Sequence, residues 1–354
     1  MKICFITDIH FGIHSNSEEF LKYQKKFFDE YLFPYLEENG IREIISLGDE
    51  FDNRKNINFN TLNECESMFF DRIEDENYRL KIIIGNHNIY HKQFSEVNSP
   101  RLLFHRYRNI NIIEKPTEVD YAGTKIMLIP WINKSNEGLI LKALADTDAK
   151  FLGGHFEIPN IRLHNNWEFE SGVDHNILKK FDAVWSGHYH MKIKRDNFMY
   201  FGCPCQLDWG DISYDHGFHI FDTETKKLEF VENPLRIFNV IEYSESNVID
   251  IDTYNYEFYK NSYIRVILNE TISEYSLFDL FIKRLEEVAY DVKTDEKFFE
   301  NVTTNLTTDV KEYKDESTLD VIKNTCHAIE MVDKDKLFKY MQKGYIKSKA
   351  MMSV

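Results

Sequence analysis

One recurring pattern constrains the fold of this 354-residue chain more than any other feature: a short apolar segment that ends in polar, metal-ligand-type residues. In chain order these segments end in Asp-x-His, Gly-Asp-x-x-Asp, Gly-Asn-His, Gly-His and Gly-His-x-His, at Asp8, Asp49, Asn86, His155 and His188. Helical patterns separate the first three segments, which indicates parallel strands joined by crossover helices. Because functional groups gather at the carboxyl ends of parallel strands, we expect these clusters to converge.

The apolar spacing places the predicted elements. Residues 17–39 and 60–76 have helical periodicity, with Pro34 as a kink in the first helix and Gly40 at its end. Strands are predicted over residues 41–47, 80–84, 125–129, 150–152 and 182–186. Short strands between residues 197 and 231 suggest a second sheet packed on the first. The predicted fold class is therefore α/β, with two central β-sheets flanked by helices.

The strand ends supply seven candidate metal ligands: Asp8, His10, Asp49, Asn86, His155, His188 and His190. Side chains two residues apart on an extended chain point to the same side, so Asp8 and His10 can close on one cation. Seven ligands are too many for one cation and suit two, with Asp49 as the predicted bridge. Imidazole and carboxylate ligands without cysteine favour manganese, iron or zinc, and the Asn86 amide oxygen favours Mn²⁺, with Mg²⁺ as the alternative.

This series of motifs resembles the signature of the calcineurin-like metallophosphoesterase superfamily, over residues 1 to about 230. Within it, the chain is most similar to the recombination nucleases of the SbcD and meiotic recombination eleven group, especially their T-even phage branch. The narrower likeness is carried by Ile129-Pro130-Trp131, by the run from Val184 to His188 and by the run from Phe221 to Thr225.

The resemblance implies a role for each ligand. It implies one metal site formed by Asp8, His10, Asp49 and His190, and another formed by Asp49, Asn86, His155 and His188. It also implies that His87 is a general acid or transition-state stabiliser oriented by Asp52. Asn88 departs from the family pattern, which has a carboxylate there, and this loss could shift the pKa of His87 or loosen its orientation.

The activity implied by the resemblance is that of a Mn²⁺-dependent DNA exonuclease and endonuclease that processes double-strand breaks during recombination. The implied partner is an SbcC-type coiled-coil ATPase, in a heterotetramer that contains a homodimer of this chain, with helices before His87 as candidate dimer contacts. The chain carries no Walker lysine and no Gly-x-Ser-x-Gly motif, so ATP would be bound by the partner.

The predicted domain organisation has four parts. Residues 1–234 form one domain, and residues 235–292 form a small α+β module with a strand over 262–268 and a helix over 277–288. The resemblance implies that the first is the nuclease domain and the second a capping domain that presents DNA. A polar linker over residues 293–316 precedes a helical segment, residues 317–354. This last segment either packs on its own domain or docks on the ATPase.

Composition adds limits. No apolar run approaches the length of a membrane span and no signal-peptide pattern is present, which predicts a cytoplasmic protein, in the bacterial host cytoplasm if it is a phage protein. Five scattered cysteines indicate reduced thiols. The formal net charge of −16 opposes binding of nucleic acid unless metals or a partner intervene.

Two alternatives stay open beside the nuclease. A metallophosphatase or nucleotide phosphodiesterase would use the same site on small esters, and a non-catalytic DNA-end-binding scaffold would have a decayed site. The intact ligand set argues against decay. The other histidines are expected to be surface or packing residues, with His216 and His219 the two to check: His14, His91, His105, His164, His175, His216, His219 and His327.

Overall fold

The computed structural model describes residues 1–91, 93–159, 172–244, 250–268 and 275–296. The strands are β1 (Lys2–Ile6), β2 (Glu43–Ser46), β3 (Arg79–Ile83), β4 (Ile89–His91), β5 (Phe94–Asn98), β6 (Ile110–Ile113), β7 (Thr117–Tyr121), β8 (Thr124–Ile129), β9 (Phe151–His155), β10 (Ala183–Gly187), β11 (Ile193–Arg195), β12 (Phe198–Tyr200), β13 (Gly217–Asp222), β14 (Leu228–Glu232), β15 (Phe238–Tyr243), β16 (Tyr263–Leu268) and β17 (Asp291–Glu296). The helices are α1 (Ile13–Asn16), α2 (Glu18–Phe27), α3 (Phe33–Glu38), α4 (Phe59–Cys65), α5 (Asp71–Asp75), α6 (Ser99–Phe104), α7 (Glu137–Asp146), α8 (His175–Leu178) and α9 (Tyr275–Glu286). α1 is a single turn in which His14 and Ser15 have positive φ.

Two six-stranded sheets form the centre of the fold, in the orders β14-β13-β1-β2-β3-β6 and β11-β12-β10-β9-β8-β7. In the first sheet β1, β2, β3 and β6 are parallel, whereas β13 and β14 run antiparallel at one side. In the second, β8, β9, β10 and β12 are parallel, and β7 and β11 are antiparallel edges. The predicted α/β class with two central sheets is confirmed.

The two sheets pack face to face through large apolar side chains. The ring centroids of Phe5 in β1 and Trp185 in β10 are 5.0 Å apart, and those of Phe151 in β9 and Phe221 in β13 are 4.8 Å apart. The outer face of the first sheet is covered by buried residues of α2 and α3, and that of the second by buried residues of α7 and α8. This sandwich brings the carboxyl ends of β1, β2, β3, β9 and β10 to one edge.

The two predicted long helices each contain a π-helical turn. The first runs through α2, the turn Phe28–Leu32 and α3, and it ends at Gly40, where φ is 62°. The predicted kink at Pro34 takes the form of this turn, because Pro34 lies in the first turn of α3 and has no N–H to donate. The second runs through α4, the turn Glu66–Phe70 and α5.

Two predictions about the later strands are wrong. Residues 197–231 do not build the second sheet by themselves: β12 joins it beside β10, whereas β13 and β14 extend the first sheet beside β1. Apolar alternation identifies strands, but it does not show which free sheet edge each will pair with. In addition, β17 includes residues 293–296, so the predicted linker does not begin at residue 293.

The smaller α+β part contains the three-stranded sheet β15-β16-β17 and helix α9. Strand β16 and helix α9 match the predicted strand and helix. Phe238 at the start of β15 packs against Trp209 and Phe20, with ring centroids 4.7 and 5.7 Å apart. The predicted helix from Ser317 and most of the predicted linker lie outside the described residues. Among the described helices, none has the length and apolar character needed to cross a membrane.

Candidate metal centre

The seven candidate ligands converge at the shared edge of the two sheets. Each lies at or just after the end of a strand: Asp8 and His10 after β1, Asp49 after β2, Asn86 after β3, His155 at the end of β9, and His188 and His190 after β10. Asp8, Asp49 and His155 are buried, with at most 1% of each residue exposed. The structure therefore places together all seven residues that the strand-end pattern selects.

The backbone at these strand ends is unusual. Asp8, His10, Asp49 and His188 have positive φ values of 52°, 53°, 60° and 86°. Residues other than glycine disfavour this left-handed region, and the backbone strain costs about 1–3 kcal/mol for each residue. Hydrogen bonds from Asp8 N to the Gly48 carbonyl (2.9 Å) and from His10 N to the Asp49 carbonyl (3.1 Å) hold the first two loops in this conformation.

Two glycines are required by the close approach of these loops. A Cβ atom at Gly85 would overlap the carboxylate oxygen Oδ1 of Asp49, and one at Gly187 would overlap the Thr7 hydroxyl oxygen. Neither glycine has positive φ, so space and not backbone conformation excludes a side chain there. This geometry explains why glycine precedes the ligands at these strand ends.

One group of ligand atoms comes from Asp8, His10 and His190, and these atoms lie within 4.8 Å of one another. The Nε2 atoms of His10 and His190 are 3.1 Å apart, and Asp8 Oδ1 lies 3.8 and 3.9 Å from them. Asp8 also accepts hydrogen bonds from the Thr7 hydroxyl (2.6 Å) and from His188 N (3.1 Å). Burial, and then the neighbouring His10, lower the pKa of His190 to about 4, so this ring is neutral at physiological pH.

The second group surrounds Asn86. Its Oδ1 lies 2.9 Å from His155 Nε2 and 2.7 Å from His188 Nδ1, and His155 Nε2 lies 3.1 Å from Asp49 Oδ2. Because His155 Nδ1 donates to the Leu47 carbonyl (2.7 Å), Nε2 is the atom that faces the site. Burial opposes protonation of His155, but the Asp49 carboxylate raises its pKa to about 9. Ligand atoms of Asp8 also lie within 4.8 Å of those of Asp49 and His155. Asp8 is therefore close both to His10 and His190 and to the ligands of the second group.

His87 lies beside these groups. Its backbone N–H donates to Asp49 Oδ1 (2.8 Å), and its ring lies 4.9 Å from the His10 ring, measured between centroids. Its Nδ1 donates to the backbone carbonyl of Asp52 (2.5 Å), whereas the Asp52 carboxylate lies 3.6 Å from His10 Nδ1. Asp52 therefore contacts His87 through its main chain and not its side chain. Burial lowers the pKa of His87, against the attraction of Asp49.

The family model for calcineurin-like phosphoesterases matches residues 1–192, more than half of the chain. The chain belongs to this family. Along 348 residues it is 29% identical to exonuclease subunit 1 of Enterobacteria phage T4, covering 98% of this chain and 99% of that protein. The resemblance drawn from the order of the motifs is thereby confirmed.

Two solved structures share weaker likeness with this phosphoesterase chain. A novel archaeal phosphodiesterase is 14% identical, with a TM-score of 0.33, over 66% of this chain and all of that one. The protein TT1561 of Thermus thermophilus is 11% identical, with a TM-score of 0.38, over 65% of this chain and 98% of that one. Neither likeness is close enough to bear on function.

Asn88, which departs from the family pattern, does not make the contact expected of it. Its Oδ1 accepts from the backbone N–H groups of Asp49 (2.9 Å) and Gly85 (2.8 Å), and its Nδ2 donates to Glu50 (2.9 Å). The side chain thus supports the ligand loops, which follow β2 and β3 and carry Asp49 and Asn86, and does not contact the His87 ring. Burial raises the pKa of Glu50 to about 7.

Two carboxylates of the site were not predicted from the sequence. Glu50 is fully buried behind Asp49, and Glu157 Oε1 lies 3.2 Å from His188 Nε2, where it can orient that ring. A signal for Glu157 existed: it follows His155 by two residues, the same spacing that separates Asp8 from His10 and His188 from His190. No such pattern marks Glu50.

The remaining described histidines contact protein atoms away from the site. His216 is buried, with Nε2 2.9 Å from the Asp211 carbonyl, and His219 is buried and stacked on Phe201 at 4.0 Å between centroids. His14 lies 2.7 Å from the Leu207 carbonyl. These contacts agree with the predicted packing roles, whereas His164 and His327 lie outside the described residues.

The donor set fits divalent cations. Oxygen and imidazole nitrogen atoms converge from seven side chains, and in the ion pairs of the described residues Asp8 and Asp49 pair with histidines and not with lysine or arginine. Histidine partners, unlike lysine or arginine, can give up their protons and bind a cation together with these carboxylates. Asp8, His10, Asp49, Asn86, His155, His188 and His190 can therefore hold the divalent metals that this family uses.

Proposed function

We propose that this chain is the nuclease subunit of a DNA-processing complex, in which it hydrolyses phosphodiester bonds with two divalent metal ions. The observation that carries the proposal is the convergence of seven ligand-type side chains beside His87, at strand ends in both sheets. Its similarity to an exonuclease subunit along 98% of the chain favours DNA over small esters as the substrate.

In this proposal Asp8, His10 and His190 bind one cation and Asn86, His155 and His188 bind the other, with Asp49 shared. Bound cations of this kind activate a water nucleophile and offset the charge of the phosphodiester. The oxygen-rich set that includes Asn86 favours Mn²⁺, with Mg²⁺ as the alternative. Asp8, at the centre of both ligand groups, is the second candidate for the shared position.

The role proposed for His87 follows from its contacts. The Asp52 carbonyl can only accept a hydrogen bond, so Nδ1 carries a proton and Nε2 is the atom that can face a reacting oxygen. When the ring is doubly protonated, Nε2 can donate that proton to the departing oxygen. The lowered pKa of His87 makes the imidazolium a stronger acid for this step.

The wider assembly is proposed from the resemblance. An SbcC-type coiled-coil ATPase would bind the segment over residues 317–354, and two copies of this chain would form the centre of a heterotetramer. The domain over residues 235–292 would present DNA to the metals. Because the net charge of this chain is −16, bound cations and the partner would have to attract the DNA, in the cytoplasm of the host cell.

The test is a nuclease assay on linear single- and double-stranded DNA with Mn²⁺, with and without the ATPase. Wild type should degrade DNA, and Asp49→Asn should lose at least about a hundredfold of that rate because it removes a shared ligand charge. His105→Asn, at an exposed histidine away from the site, is the matched control and should keep it.

The assay also separates the alternatives. Turnover of small phosphate esters without action on DNA, even with the ATPase present, would favour a phosphatase or nucleotide phosphodiesterase. Purified protein that binds DNA ends but retains no metal would favour the scaffold. Equal DNA degradation by wild type and Asp49→Asn would refute the site.

A further inference from the structure

A buried hydrogen-bond network lies directly behind the ligand loops. Asn88 Oδ1 accepts from two backbone N–H groups at once, those of Asp49 (2.9 Å) and Gly85 (2.8 Å). Its Nδ2 donates to Glu50 Oε2 (2.9 Å), and Glu50 Oε1 accepts from the Ser46 hydroxyl (2.5 Å). Ser46, Glu50 and Asn88 are all fully buried.

This network joins two strand ends that carry different ligands. Asp49 itself is a candidate ligand, and Gly85 precedes the ligand Asn86. Asn88 Oδ1 is the one atom to which both backbone N–H groups donate, and Glu50 fixes the orientation of the Asn88 amide by accepting from Nδ2. Since Asp49 has a positive φ of 60°, its backbone depends on such contacts to stay in place.

We propose that Glu50 and Asn88 form a positioning pair for the metal centre: the carboxylate of Glu50 orients the Asn88 amide, and this amide sets the spacing between Asp49 and Asn86. The pair touches no reacting atom, so it acts through the ligands. This inference rests on the proposed metal centre, but not on DNA being the substrate.

The pair explains why position 88 carries an amide in this chain. A carboxylate there could still accept from Asp49 N and Gly85 N, but its second oxygen would face Glu50 Oε2, and no hydrogen would lie between the two oxygens while both groups are ionised. At that distance the two buried carboxylates either repel each other and push the two loops apart, or take up one proton that they share. An amide at one of the two positions removes the conflict.

The proposal predicts that the pair can be exchanged. In Asn88→Asp, two carboxylates meet, and Mn²⁺ affinity should fall by about tenfold to a hundredfold, the loss typical when a partner behind a ligand is removed. Glu50→Gln alone can accept from Asn88 and donate to Ser46, so Mn²⁺ affinity should stay within about threefold of wild type. In the double variant, the new amide at position 50 donates to the new carboxylate at position 88 and accepts from Ser46, which restores every contact.

The control is Asn88→Ala, which removes the acceptor for both backbone N–H groups. Its loss of Mn²⁺ affinity should be the same in the wild-type background and in the Glu50→Gln background, because no side chain at position 50 replaces that acceptor. The signature of the pair is therefore that Glu50→Gln rescues Asn88→Asp and does not rescue Asn88→Ala.

The experiment is titration calorimetry of Mn²⁺ into metal-free wild type, the three single variants and the two double variants, with circular dichroism melting to check folding. The Mn²⁺ concentration for half-maximal activity should rise in Asn88→Asp while KM for the substrate is unchanged, a separation that a general loss of folded protein does not produce. Should Asn88→Asp not fold, Asn88→Ser, which loses the contact to Glu50 without adding charge, should show a several-fold loss of affinity.

The outcomes separate the two proposals. Wild type that binds no Mn²⁺ would refute the proposed metal centre. Wild type that binds Mn²⁺ together with an Asn88→Asp variant of equal affinity, or one that Glu50→Gln fails to rescue, would refute the positioning pair alone. If Asn88→Ser is the variant measured, an unchanged Mn²⁺ affinity would overturn the pair in the same way.

Discussion

The imidazole rings of His10 and His190 face each other across the candidate site with their Nε2 atoms 3.1 Å apart. Two such nitrogens attract each other only when a proton or a cation lies between them, because two lone pairs repel. Burial, and then the neighbouring His10, lower the pKa of His190, so the His190 ring does not take up a second proton. At most one hydrogen can therefore lie between the two Nε2 atoms in the metal-free protein. A cation bound between the rings would accept the lone pairs of both Nε2 atoms. The arrangement therefore fits the metal-bound protein better than the metal-free protein.

Metal binding should therefore stabilise the folded protein markedly. At a free Mn²⁺ concentration about a hundredfold above Kd, the free energy of unfolding should increase by about 2.7 kcal/mol for each site occupied. A chain of this length then gains a few °C in Tm, measured by differential scanning calorimetry with Mn²⁺ against EDTA. His190→Ala should lose up to about half of this gain, because it removes a ligand from one of the two sites, and an unchanged Tm in wild type would contradict the prediction.

Binding of Mn²⁺ should release protons at neutral pH. The Asp49 carboxylate raises the pKa of His155 to about 9 against the effect of burial, so in the metal-free protein this ring is protonated below pH 9. A ligating histidine must be neutral, so affinity should rise about tenfold for each pH unit up to 9 and then level off.

Calorimetry in two buffers with different ionisation enthalpies measures this release directly. About one proton should be released from His155 for each cation bound to it at pH 7, and the release should fall towards zero above pH 9. The raised pKa has a second consequence: the protonated ring stabilises the metal-free fold fully below pH 6.5, and this stabilisation is lost as pH rises through 9. Binding at pH 7 without proton release would count against this arrangement of His155 and Asp49.

His87 should affect the chemical step and not metal binding. Its backbone N–H, which any residue except proline retains, holds Asp49, whereas its ring bonds to the Asp52 carbonyl. His87→Asn should therefore lower kcat by about 10²–10⁴-fold and leave the Mn²⁺ affinity within about threefold of wild type. Single-turnover cleavage with a Mn²⁺ titration measures both quantities. A large loss of Mn²⁺ affinity would instead show that the His87 ring is a ligand.

The candidate ligands could be selected from the sequence because their signals are local. Asp8 with His10 and His188 with His190 are close pairs at predicted strand ends, and parallel strands bring such ends together whatever the details of packing. Glu50 could not be found in this way, since its role depends on Asn88, which is 38 residues further along the chain. The same limit applies to β13 (Gly217–Asp222), whose pairing with β1 (Lys2–Ile6) joins segments that lie far apart in the chain.

Asp52 shows a finer limit of the same kind. Its position in the Gly-Asp-x-x-Asp motif placed it beside His87, but a motif does not distinguish a main-chain contact from a side-chain contact. The structure assigns the carbonyl oxygen to His87 and directs the carboxylate towards His10. Replacement of Asp52 by asparagine thus preserves the first contact and changes only the second.

Gly85 offers the most direct test of how tightly the ligand loops are packed. A Cβ atom there would overlap Asp49 Oδ1 and would also lie 2.8 Å from Asp49 N, so Gly85→Ala must displace either the ligand or the loop that carries Asn86. We expect a loss of at least about tenfold in Mn²⁺ affinity and about 1–3 kcal/mol in stability, the usual range for overpacking a buried site.

Gly138→Ala is the matched control, because a Cβ at Gly138 in α7 meets nothing within 4 Å. That change should be neutral or stabilise the protein by up to about 1 kcal/mol, since alanine favours helix. Urea unfolding with and without Mn²⁺ separates the two effects, and wild-type Mn²⁺ affinity in Gly85→Ala would mean that the loops have room the structure does not show.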